Sequence, residues 1–106
     1  MNYHWIGHCR EGTSDKVWGM ICLNTDTEQA AQNPWTGYTY VSFWGRRGKK
    51  LQTKIHENLE YYDANKLVDK KQDRGYNTID PNRLDQVYPE FEQDLEATAV
   101  WALLKV

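Results

Sequence analysis

The chain has 106 residues and a formal net charge of −2, which argues for one domain with a modest core and against a whole-molecule positive field. Two cysteines, Cys9 and Cys22, are too few for a disulfide scaffold, and no apolar run approaches membrane length or follows a signal pattern. The expectation is a cytoplasmic protein with no membrane partner, whose core draws on five Trp and seven Tyr because aromatics supply large buried area per residue.

Alternation from Tyr3 to Arg10 predicts a first strand, with Tyr3, Trp5 and Cys9 on one face and His4, Ile6 and His8 on the other. Glu11-Gly12-Thr13-Ser14-Asp15 reads as a turn, and Lys16 to Leu23 as the second strand of an antiparallel hairpin. The polar stretch Asn24 to Gly37 reads mainly as a long loop, with at most a helical turn around Glu28 to Gln32. Tyr38 to Trp44 is a third strand of β-branched and aromatic residues. It alternates Tyr38, Tyr40, Ser42 and Trp44 against Thr39, Val41 and Phe43, and neither set is cleanly polar. Gly45 to Lys50 turns the chain into a fourth strand, Leu51 to His56, with Leu51, Thr53 and Ile55 on one side and Gln52, Lys54 and His56 on the other.

Asn58 suits an N-cap and Glu60 a first helical turn. The helix that follows presents Tyr61, Ala64, Leu67 and Val68 to the sheet, places Lys70, Lys71 and Arg74 against its dipole, and stops at Gly75. Tyr76 to Ile79 adds a short edge strand. Asp80-Pro81 and Tyr88-Pro89 are both helix-start signals, and the second opens a helix towards Lys105. Phe91, Leu95, Ala99 and Ala102 mark one stripe of it, widened by Val100, Trp101, Leu103 and Leu104. So apolar a segment must be buried against the sheet or another chain.

Charge is distributed unevenly. Residues 81–106 hold Arg83 and Lys105 against Asp85, Glu90, Glu92, Asp94 and Glu96, a net −3, which leaves +1 for residues 1–80. Between Trp44 and Lys54 stand Arg46, Arg47, Lys49, Lys50 and Lys54 with no acid among them. In Trp44-Gly45-Arg46-Arg47-Gly48 a planar aromatic, planar cations and two permissive glycines meet at a strand end. That combination suits stacking on a sugar or base while gripping a phosphate. It equally suits a hairpin turn with a core Trp and solvated basic residues on an edge. The acidic tail could also cover the basic strip and compete with nucleic acid.

Metal and catalytic readings gain no support. His4 and His8 lie about 13 Å apart on a strand at ~3.3 Å per residue, too far for one zinc ion, and Cys9 points to the opposite face. No nucleophile motif surrounds either cysteine, and nothing positions the tail carboxylates as an acid–base pair.

The ordered set of an N-terminal aromatic hairpin, Trp44-Gly45-Arg46, Gly48, Gln52, a helix carrying Ala64, Leu67 and Lys71, and the ending Arg74-Gly75-Tyr76 resembles the WGR domain family over roughly residues 2–80. The resemblance implies a small α/β module that does no chemistry itself. In DNA-dependent poly(ADP-ribose) polymerases such a module touches DNA near a strand break and relays the contact to neighbouring domains. Many bacterial proteins also look to carry it. By that resemblance Trp44 would stack near a terminal sugar and Arg46 would make polar contacts around it. Arg47 stands where the family usually has an aliphatic residue, and Leu51 replaces a usual glycine. The loop from Asn24 looks longer than usual, and the tail from Pro81 lies outside the pattern.

The combined expectation is an α+β fold: a small, mostly antiparallel β-sheet with one helix packed across it, as a WGR-like domain over 1–80. A C-terminal helical extension over 81–106 packs on that domain or at an oligomer interface. The expected function is non-enzymatic DNA binding through Trp44, Arg46, Arg47, Lys49, Lys50 and Lys54, with no cofactor, metal or small-molecule substrate. The alternative is a protein-interaction module, as a homo-oligomer (a homodimer through the apolar tail) or by docking onto a larger complex.

Overall fold

A computed structural model describes residues 3–23 and 38–104, the side chain of Leu103 excepted. The loop expected from Asn24 to Gly37 lies outside the described residues. Five strands form one antiparallel sheet: β1 (Tyr3–Glu11), β2 (Ser14–Cys22), β3 (Tyr38–Arg46), β4 (Gln52–Leu59) and β5 (Asn77–Thr78), in the order β4-β3-β2-β1-β5. One helix, α1 (Tyr61–Asp73), leaves β4 at one edge and delivers the chain to β5 at the other. Its 13 residues span about 20 Å at ~1.5 Å per residue. Four inter-strand gaps of ~4.8 Å come to about 19 Å, so the helix matches the width it must cross.

Strand alternation divides the core into two layers. On the helix side Trp18, Met20, Cys22 and Tyr40 pack with Ala64 and Val68, flanked by Trp5, Tyr38, Trp44, Leu59, Leu67 and Tyr76. On the opposite side Ile6, Val17, Ile21, Val41 and Phe43 pack with Tyr88, Phe91, Leu95 and Leu104 of the tail. The tail therefore covers the second face of the sheet, and the described residues build a helix–sheet–helix sandwich. Cys9 and Cys22 are both buried.

Several local readings need correction. The first strand does not alternate strictly, because Tyr3 pairs with Ile21 while Trp5 pairs with Met20. The extra residue is His4, a β-bulge that sends Tyr3 to the tail side, where it meets the Phe91 ring at 6.0 Å. His4 turns to the helix side instead, its ring 5.3 Å from both Tyr40 and Tyr61. Asn58 is not an N-cap. Tyr38 pairs with Leu59 and Tyr40 with His56, so β4 also holds an extra residue, and Asn58 takes φ 55° there. Asn tolerates that left-handed conformation, and the bulge returns Leu59 to the helix side. The helix starts after Glu60, which makes no side-chain cap. Its end follows the sequence signal: Tyr76 N–H bonds the Lys71 carbonyl at 3.1 Å and Gly75 N–H that of Gln72 at 3.0 Å, a Schellman motif.

The tail is not one helix. It forms a 3₁₀ turn at Pro81–Arg83, then α2 (Leu84–Val87), α3 (Phe91–Glu96) and α4 (Trp101–Leu104). Asp80 caps the first turn, accepting the Asn82 N–H at 3.0 Å. A straight helix would bury only one side of a segment that is apolar on most sides. The break at 97–100 lets Leu95 and Leu104 both reach the core, while Ala99 and Ala102 of the expected stripe are exposed. Among the described residues no helix is long and apolar enough to cross a membrane.

Candidate nucleic-acid interface

The motif turn joins β3 to β4. Gly45 and Gly48 have φ of 149° and 78°, and a Cβ at Gly45 would lie 3.3 Å from Leu51 Cδ2. Both glycines are thus demanded by the backbone. Between them the two arginines part. Arg46 ends β3 in continuous register opposite Lys16, so alternation puts it on the helix side with Trp44. It is exposed, and its Nη2 donates to the Thr13 carbonyl at 3.3 Å, bridging the two hairpin turns at this end of the sheet. Arg47 is half-buried on the tail side, its guanidinium carbon 5.0 Å from the Tyr88 ring centroid and its Nη2 3.5 Å from Glu90 Oε1.

The other expected site residues divide similarly. Trp44 is half-buried beside Trp18 in the β2–β3 register, with exposed Gln52 across from it on β4. Lys54 is exposed and pairs with Ser42 on the same side. Lys49 and Lys50 are exposed at the tip of the turn. The structure therefore groups Trp44, Arg46 and Lys54 on the helix side, leaves Lys49 and Lys50 at the tip, and removes Arg47 to the other face.

The helix side also supplies cations outside the expected strip. Lys16 Nζ stands 5.9 Å from the Tyr76 ring centroid, and Lys71 Nζ 5.5 Å from that of Trp18. Burial, then the charges of Arg74 and Lys16, hold the Lys71 ammonium below the usual lysine range. Three cations thus crowd one corner. Among the described residues neither they nor Arg46 form an ion pair, the salt bridges there being His8–Asp15 and Arg47–Glu90. Beneath them runs a row of indoles, with the Trp5 and Trp18 rings 6.0 Å apart and Trp44 on the next strand. Trp5 Nε1 donates to Thr78 Oγ1 at 3.1 Å, which ties the row to β5.

Alternation within β2 puts Lys16 on the Trp18 side, but its place beside Arg46 and Trp44 depends on the β2–β3 pairing. The sequence offers Lys71 and Arg74 as an extension of the basic strip, and compensation of the helix dipole explains them equally well. The histidines take structural places. His8 Nε2 pairs with Asp15, and His56 Nε2 lies 3.0 Å from Ser42 Oγ. Among the described residues no three His, Cys, Asp or Glu side chains are grouped to hold a metal ion.

Cations without ion pairs can attract a polyanion, and half-buried Trp5 and Trp44, unlike buried Trp18, have ring surface left for planar or sugar groups. Comparison with family models, curated proteins and solved structures found no match to this chain.

Proposed function

We propose that this chain is a non-catalytic DNA-binding module whose contact surface is the helix side of the motif end. The observation that carries the reading is the gathering of Trp44 and Arg46 with Lys16, Lys71 and Arg74 on one face, where no carboxylate pairs with these cations among the described residues. Phosphate contacts from these cations and Lys54 supply most of the affinity, so binding weakens steeply with salt. Trp44 adds sequence-tolerant stacking, on the order of 1–3 kcal/mol per base. The resemblance to WGR domains agrees with this reading on the roles of Trp44 and Arg46. It does not extend to Arg47, which Glu90 and Tyr88 engage.

The alternative is a protein-interaction module, through a homodimer of the tail or by docking onto a larger complex. Phe91, Leu95 and Leu104 of that tail are buried against the sheet, and Trp101 is half-buried.

Fluorescence anisotropy with duplex, nicked and single-stranded oligonucleotides at low salt tests the proposal. Trp44→Ala, Arg46→Ala and the pair Lys71→Gln/Arg74→Gln should each weaken binding, and the charge variants should flatten the salt dependence by about one slope unit per cation removed. Folded variants that bind like the wild type would sink the site assignment. Light scattering on the same samples reports any self-association.

A further inference from the structure

Residues 88–94 make a second set of contacts, to the motif turn itself. Asp94, an acid only 8% exposed, accepts the Gly48 N–H on Oδ2 at 2.9 Å and the Tyr88 hydroxyl on the same oxygen. Tyr88, 1% exposed, carries the Arg47 guanidinium on its ring, and Glu90 pairs with that guanidinium. Three contacts from one tail segment thus converge on Arg47 and Gly48, and the Tyr88–Asp94 bond links them. Within the turn the backbone contributes Lys49 N–H to the Arg46 carbonyl at 3.2 Å. A turn with two glycines has much freedom to lose on ordering, so an external tether has a large effect on its conformation.

We infer that Asp94 is a positioning residue for the ligand surface: by fixing Gly48 and, through Tyr88, seating Arg47, it holds the turn so that the end of β3 keeps the register that puts Arg46 on the helix side with Trp44. Strand register aims Arg46, and the tail keeps Arg47 off that side. This inference rests on the DNA-binding reading for its ligand, and on the turn contacts alone for its mechanism.

Two substitutions separate positioning from simple electrostatic cover. Asp94→Asn removes the acid but keeps an oxygen that can accept the Gly48 N–H, whereas Asp94→Ala removes both. If the acid only repels DNA, both variants bind more tightly. If it positions the turn, Asp94→Ala weakens binding on the order of tenfold, because the competent conformation is less populated, and Asp94→Asn stays near wild type. The salt slope of Asp94→Ala should be unchanged, since no phosphate-contacting cation is lost. By NMR, Gly48 amide exchange should quicken and the Arg46 Nε–Hε signal should shift in Asp94→Ala but not in Asp94→Asn. An unmoved Gly48 amide in Asp94→Ala, or DNA binding by both variants as tight as wild type, overturns the inference. If wild type itself binds no DNA, the functional reading falls alone, and the Gly48 and Arg46 signals still decide the positioning role. Should Asp94→Ala fail to fold, Tyr88→Phe, which removes one hydroxyl from the same carboxylate, is read by the same signals.

Discussion

The two faces of the sheet are built for different ends. On the tail side, Phe91, Leu95 and Leu104 close the core, and the charges of Arg47 and Glu90 are paired over Tyr88. On the helix side at the same end of the sheet, Lys71 stands over Trp18 and Lys16 over Tyr76, and burial, then the charges of Arg74 and Lys16, depress Lys71. Mutual repulsion among cations costs stability, whereas Glu90 and the Tyr88 ring offset part of the cost of burying the Arg47 charge. The contrast teaches that aromatic and basic residues at one strand end need not form a single patch. One sheet separates them, with Arg47 beside Glu90 and Tyr88 on one side and Arg46 with Trp44 on the other.

The largest expected effect comes from breaking the tail side. Phe91→Ala should cost about 3–5 kcal/mol in chemical denaturation, through lost burial and the cavity left against Tyr3, Phe43 and Tyr88. A loss below about 1 kcal/mol would mean that the tail is not a layer of the core. Tyr88→Phe should have a smaller effect, about 1.5–3 kcal/mol, the range for a hydrogen bond to a charged group. Its unfolding midpoint in urea, set against that of wild type, measures how firmly the tail holds the turn.

The smallest change concerns pH and sharpens the contrast from the helix side. Burial holds His4 and His56 below the usual histidine range, partly offset at His4 by the Asn65 side chain and reinforced at His56 by the charge of Lys54. Unfolded, both titrate near 6.5 or so, so the unfolded chain binds more protons just below that pH. Their contribution is present above about 6.5 and is lost as pH falls through the depressed folded values. Urea midpoints should therefore be lower at about pH 5.5 than at about pH 7.5, and His56→Asn should narrow the difference. An equal difference in that variant would remove His56 from the account.

Much of the fold was legible because its determinants are local. The hairpin of β1 and β2, the period-two pattern of β3 and the stop at Gly75 follow from residues within a few positions of each other. The bulges at His4 and Asn58 were not legible, because an extra residue exists only relative to a partner strand. The tail helix was drawn too long because periodicity reports apolar faces but not how many surfaces are there to receive them. For the candidate site, the sequence singled out Trp44 and Arg46 and missed Lys16, whose place beside Arg46 depends on β2–β3 pairing.

By itself the sequence determined the main strands, the helix that crosses them and the two sets of β3 residues. Those depend on backbone geometry and on the alternation of side chains, which each segment carries with it. Only the tertiary structure decided which set meets the helix, where the tail lies, and that Arg46 and Arg47 go to opposite sides. Those outcomes come from contacts between distant segments, Trp44 with Trp18 and Gly48 with Asp94, whose energies exist only once the sheet and its two covers have come together.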